Sequence, residues 1–255
     1  MLETADQNLT RPSSGATAAT REPADPFGTL GESSTADDLV ESIITWSHDA
    51  VGPAELIEAR DRFFVTHGKT VPEDAFYDAR MSYFFDHFIF ERPLTALPNG
   101  LSTTPYELFL ARARQSEATL PQVVTKRLTE LGDSRHSLYE ITKVAEHQLV
   151  VRDLLTDDRL DITPRANENF RGLAKGQMLQ AFAYAHAGQR LLSPGIVLHH
   201  AKVGRVVRKH LKQERKQGEL ARRSVLAKLA HVQMRCLRHQ HVAPAAIYRS
   251  ELLDK

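Results

Sequence analysis

The sequence predicts an α+β fold: a helical N-terminal region, a small antiparallel β barrel or curled sheet, and a basic helical C-terminal region. Three observations predict it. Capping signals and helical apolar spacing run through residues 36–132, short strand-like segments crowd residues 136–193, and helical spacing returns after Pro194 with a change of charge. Residues 195–255 hold 14 Lys and Arg against 4 Asp and Glu, leaving 19 basic and 28 acidic residues in the first 194 out of totals of 33 and 32. The near-neutral total of +1 conceals a dipole, and a concentrated positive surface is an argument about partners rather than fold. At 255 residues, 42 % hydrophobic and 25 % charged, the chain has enough apolar surface for one large domain or two to three subdomains.

Residues 1–35 are rich in Ser, Thr, Ala, Pro and Gly without apolar periodicity, so they read as a disordered tail. Order is expected to begin at Thr35, where Thr35 and Asp38 form a capping-box pattern before Leu39, Val40, Ile43 and Ile44 at helical spacing. Gly52-Pro53 permits a second start, with Leu56, Ala59, Phe63 and Phe64 on one face and Gly68 placed to end it. Seven of the chain's aromatics (11 Phe, 6 Tyr, 1 Trp) fall between Phe76 and Phe90, which marks the main core helix, and Pro93 stops it. Thr104-Pro105-Tyr106-Glu107 is a second capping box with Pro at the first helical position; its helix runs to about Leu131 with an interruption at Pro121.

HSLYEITKVA, QLVVRDLLT and LDITP then read as strands, as do Gln177 to Ala185 and Arg190 to Ser193, with His186-Ala187-Gly188 as a turn. Four or five short strands in so little chain suggest the small barrel-like region. Beyond Pro194, Lys202, Arg205, Arg208, Lys209, Lys212, Arg215 and Lys216 fall within roughly 140° of a helical wheel. Val203, Val206, Val207, His210 and Leu211 lie opposite. Gln217-Gly218 breaks this helix, and another runs from Glu219 to about His239, where Arg222 and Arg223 extend the positive surface. Such a stripe fits phosphate contacts, since like charges at helical neighbours repel unless an anion is near. Its apolar face lacks the Trp and Phe of a membrane-surface helix.

Other candidate chemistry is sparse. Cys236, His239 and His241, with His231, could supply soft-metal ligands, but Arg235 and Arg238 oppose a cation and no second ligand pair is present, so no metal site is assigned. His199 and His200 are read as packing or capping residues, and Asp86, His87 and Glu91 as polar groups on the outer face of the aromatic helix. Asp153, in a largely apolar strand, calls for Arg152 or a turn amide as partner. The chain contains no Gly-rich phosphate loop, nucleophile elbow or His-Glu-x-x-His motif. A single cysteine rules out an internal disulfide, and with the polar start MLETADQNLT it points to a reducing, cytoplasmic setting. No run approaches 18 apolar residues.

Four segments, YFFDHFIFERPL (Tyr83 to Leu94), TPYELFL (Thr104 to Leu110), SLYEI (Ser137 to Ile141) and VRDLLT (Val151 to Thr156), resemble uncharacterised bacterial proteins related to those carrying a SEC-C motif. The resemblance covers roughly residues 75–210 and implies a bacterial cytosolic protein of unassigned activity, with no catalytic residues to carry over. The Cys-rich zinc tail of that group is missing from this sequence.

The functional expectation is a non-enzymatic regulatory or adaptor protein that needs no cofactor and binds nucleic acid, DNA or RNA, through Lys202, Arg205, Arg208, Lys209, Lys212, Arg215, Lys216, Arg222 and Arg223. About six phosphate contacts would give a slope of log affinity against log salt near −5. The alternatives are an interaction module docking an acidic protein or a second copy of the chain as a homo-oligomer, and a metal-dependent enzyme using histidines gathered by folding. No membrane partner is expected.

Overall fold

Thr35 caps the first helix as its sequence predicts: its side chain accepts from the Asp38 amide while the Asp38 carboxylate receives the Thr35 amide. The structure, a computed structural model, describes residues 27–94, 103–116, 120–165, 169–216 and 221–253. Helix α1 (Ala36–Val51) is followed by α2 (Pro53–His67), α3 (Tyr77–Phe90), α4 (Pro105–Gln115) and α5 (Gln122–Leu131). Thr104 forms the second capping box, with Glu107, and Pro121 separates α4 from α5 because it cannot continue a helical hydrogen-bond ladder. Gly68 ends α2 at φ 93°, where a Cβ would also lie 2.8 Å from Met234.

The strands are β1 (Arg135–Ala145), β2 (Gln148–Asp153), β3 (Arg159–Ile162), β4 (Met178–His186), β5 (Gln189–Leu192) and β6 (Val197–Leu198). They form one antiparallel sheet in the order β3-β2-β1-β4-β5, with β6 also on β4. A bulge between Ile141 and Lys143 bends the long central β1, and the sheet curls into a half-barrel until the Thr163 amide donates to the Arg190 carbonyl at 2.8 Å. Ala187 (φ 50°) and Gly188 (φ 73°) make the tight β4–β5 turn, whose left-handed pair matches strand twist. Strand β4 is buried on both sides. Leu179, Ala181 and Ala183 fill the sheet's concave core, while Phe182 and Tyr184 join the core of the N-terminal helices and Met178 that of the C-terminal helices.

A 3-10 turn (Ala201–Val203) leads into α6 (Gly204–Lys216), followed by α7 (Arg222–Arg238) and α8 (Pro244–Leu252). Among the described residues, no helix is long and apolar enough to cross a membrane. The α+β architecture is thus the one the sequence predicts, with three corrections. Phe27 and Leu30 are buried, and Phe27 packs against Phe109 at 5.1 Å between ring centroids. Residues 27–35 are therefore docked on the helical core rather than part of a tail; the rest of the expected tail, like the Gln217-Gly218 break, lies outside the described residues. Helix α3 has no outer face at Asp86, which is buried, because it packs against α1, α2 and α4 on one side and β4 and β6 on the other. Helix α8, which the sequence reading did not separate, buries Ile247, Tyr248 and Leu252 against α6 and α7.

Candidate functional site

Helix α6 divides sharply by chemistry. Val206, Val207, His210 and Leu211 are buried against α7, α8 and the sheet residues Leu138 and Met178, as their spacing predicts. The opposite face exposes Arg205, Arg208, Lys209, Lys212, Gln213, Arg215 and Lys216, and Lys202 is exposed in the turn before it. That turn is fixed by His200, whose ring Nδ1 accepts the Lys202 amide at 3.2 Å. With no acidic residue in the first turn of α6, the positive end of the helix dipole adds to the field of Lys202 and Arg205.

The structure sorts the nine predicted contact residues into three groups. Among the described residues, Lys202, Arg205, Lys209, Lys212 and Lys216 are exposed and make no ion pair. Arg205, Lys209, Lys212 and Lys216 occupy about 60° of the helix and span about 16 Å along its axis, forming a single ridge. Arg208 and Arg215 do not join it: Arg208 pairs with Glu140 at 3.2 Å, and Arg215 donates to the Leu154 and Leu155 carbonyls at the β2–β3 turn. They act as clasps between α6 and the sheet. Arg222 is half-buried and Arg223 exposed at the start of α7, a separate helix from the ridge, and their charges contribute to lowering the Glu91 and His87 pKa values.

A second constellation, of which only Asp86, His87 and Glu91 were expected on a solvent face, lies largely inside the molecule. Gln180 donates to the Tyr83 hydroxyl and, at 3.0 Å, to the Leu226 carbonyl of α7. The Tyr83 hydroxyl also lies 2.7 Å from His136 Nε2, and the other ring nitrogen of His136, Nδ1, lies 3.1 Å from a Glu91 carboxylate oxygen. Burial opposes the Glu91 charge, but His136 and His87 outweigh it and hold Glu91 down at about 2. Asp86 accepts from Tyr184 and is only 2 % exposed; burial lifts its carboxyl to about 7. Burial also lowers His67 to about 3 and His87 to about 4, and Arg80 closes α2 by donating to the His67 carbonyl at 2.6 Å.

Tyr83, Asp86, His136 and Gln180 are at most 2 % exposed, so this network ties α3, the sheet and α7 together and does not meet a ligand from solvent. One signal in the sequence pointed to it: Gln180 and Tyr184 share a face of β4 with Met178 and Phe182, opposite a polar-containing aromatic helix.

The remaining predicted residues have local roles. His199 is fully buried and its Nδ1 lies 2.6 Å from the Tyr248 hydroxyl, which donates to Gln233 at 2.9 Å. Asp153 is held by Ser137 and by the Leu155 and Thr156 amides, turn partners of the kind its position required, while Arg152 pairs with Asp157 instead. Cys236 is buried in the α6–α7–α8 core, and His239 and His241 are exposed beyond it. Among the described residues, no group of three or more His, Cys, Asp or Glu side chains is placed to hold a metal ion. No family model, curated protein or solved structure matches the chain.

Proposed function

We propose that this chain is a non-enzymatic regulatory or adaptor protein that binds a polyanion, with nucleic acid the leading ligand, through the α6 ridge. The observation that carries the reading is the sorting of cations on one helix. Arg208 and Arg215 are engaged within the molecule, whereas Lys202, Arg205, Lys209, Lys212 and Lys216 stand exposed without ion pairs among the described residues. These five make four successive like-charge neighbours at i,i+3 or i,i+4, which together cost about 1 kcal/mol in the free protein. A polyanion reverses that repulsion and releases counterions on binding.

The test is a fluorescence-polarisation titration of the full chain with a mixed-sequence DNA duplex at about 50 to about 200 mM salt. Five contacts give a slope of log affinity against log salt of about −4.5. The combined Arg205→Glu, Lys209→Glu, Lys212→Glu variant should lose binding while keeping a thermal midpoint no lower than wild type, because none of the three side chains is buried or paired in the described structure and their repulsion with Lys202 and Lys216 is relieved. Wild-type affinity in that folded variant refutes the proposal.

A further inference from the structure

Four of the five unpaired cations on the ridge are lysines, and this composition bears on what the ridge can read. A lysine ammonium is a compact point charge, whereas the guanidinium fork makes the bidentate contacts that recognise guanine in a major groove. Two arginine forks of α6, Arg208 and Arg215, are engaged by Glu140 and by the Leu154 and Leu155 carbonyls. Gln213 is the one neutral polar side chain on the exposed face of α6, so groups able to read adenine or cytosine edges are nearly absent from it.

Position reinforces composition. A groove-reading helix projects between the two strands, into a major groove about 12 Å wide and about 8.5 Å deep. Helix α6 is held on one side by Val206, Val207 and Leu211 and along one edge by the Arg208 and Arg215 clasps, so the ridge is the part that stands clear. Residues 201–216 contain no Phe, Tyr or Trp on which an unpaired base could stack, which single-strand binding relies on. The ridge of about 16 Å from Arg205 to Lys216 is long enough to meet several phosphates of one strand.

We infer that α6 lies along the phosphate backbone of double-stranded nucleic acid and binds it without regard to base sequence; this rests on the polyanion reading above. Arg205 and the four lysines pair with successive phosphates, and the clasped edge keeps the helix out of the groove. Duplex DNA and duplex RNA present the same phosphate chemistry, differing in the spacing of the strands.

The experiment titrates the full chain against five labelled probes of equal length: A·T-rich, G·C-rich and mixed DNA duplexes, an RNA duplex, and single-stranded oligo-dT. The three DNA duplexes should bind within about threefold of one another, far less than the specificity ratios of base-reading proteins, and oligo-dT at least about tenfold more weakly. The Lys209→Ala, Lys212→Ala pair should weaken all duplexes equally and reduce the salt slope by about 2. The tighter of the DNA and RNA arms identifies the backbone taken, and binding to either satisfies the inference. More than about tenfold preference among the DNA sequences, or oligo-dT bound as tightly as duplex, overturns the inference while leaving polyanion binding standing. Absence of binding to every probe at low salt overturns both.

Discussion

Replacing Asp86 by Asn should make the protein more stable at alkaline pH and leave it nearly unchanged in acid. The folded state holds the Asp86 proton up to about pH 7, whereas the unfolded chain releases it near 3.8. Between those values the folded state holds the Asp86 proton that the unfolded chain has lost, so the stability this group contributes is fully present below about pH 4 and declines as pH rises towards 7. The decline is about 1.4 kcal/mol per pH unit, on the order of 4 kcal/mol in all for this group. Asn cannot ionise and so lacks this slope. Its geometry suits the site: Oδ1 can accept from Tyr184 as the carboxylate does, and an amide proton can reach Ser193 Oγ. Ser193 Oγ and Asp86 Oδ2 are both buried without a hydrogen-bond partner among the described residues. Urea denaturation of wild type and Asp86→Asn at pH 5, 6, 7 and 8 isolates the effect, because every other titrating group is common to both. A stability difference that stays constant across that range would show that Asp86 is not a buried, reluctantly ionised carboxyl.

The buried histidines act with the opposite sign. His67, His87 and His199 have pKa values lowered by burial to about 3, 4 and 4, so the stability they confer is present above pH 6.5 and is lost as pH falls towards 4. In the Asp86→Asn background, far-UV circular dichroism at fixed urea should therefore show acid unfolding below pH 6.5, and a flat response there would contradict it. Gly195→Ala would place a Cβ 2.5 Å from the backbone N and Cα of Tyr83, so a loss of about 3 kcal/mol is expected. Gly188→Ala, with open space but φ 73°, should lose about 1 kcal/mol when both variants are compared by urea denaturation, and equal losses would show that packing at Gly195 is looser than described. Arg215→Ala should lower stability by about 1 kcal/mol through loss of its carbonyl contacts, whereas Lys212→Ala should raise it by a few tenths in the absence of ligand. Equal destabilisation by both would mean that Lys212 is not a free ridge cation.

The elements that the sequence determined are those governed by neighbours a few residues away. Thr35 and Thr104 cap their helices because the acceptor and the returning carboxylate are three residues apart, and α6 shows its two faces because Val206, Val207, His210 and Leu211 recur at helical spacing. The half-barrel was legible for the same reason, from short branched segments and tight turns. What tertiary structure alone decided is which polar groups face inward and which cations remain available. Asp86 meets Tyr184 across 98 positions and Tyr83 meets His136 across 53, distances over which periodicity carries no information. A helix packed on two sides covers residues that a one-sided wheel assigns to solvent, which buries Asp86 and leaves His87 and Glu91 only partly exposed. The same holds on α6, where Arg208 and Lys209 are adjacent in sequence yet only one has Glu140 within reach, because that carboxylate arrives on a strand 68 residues away.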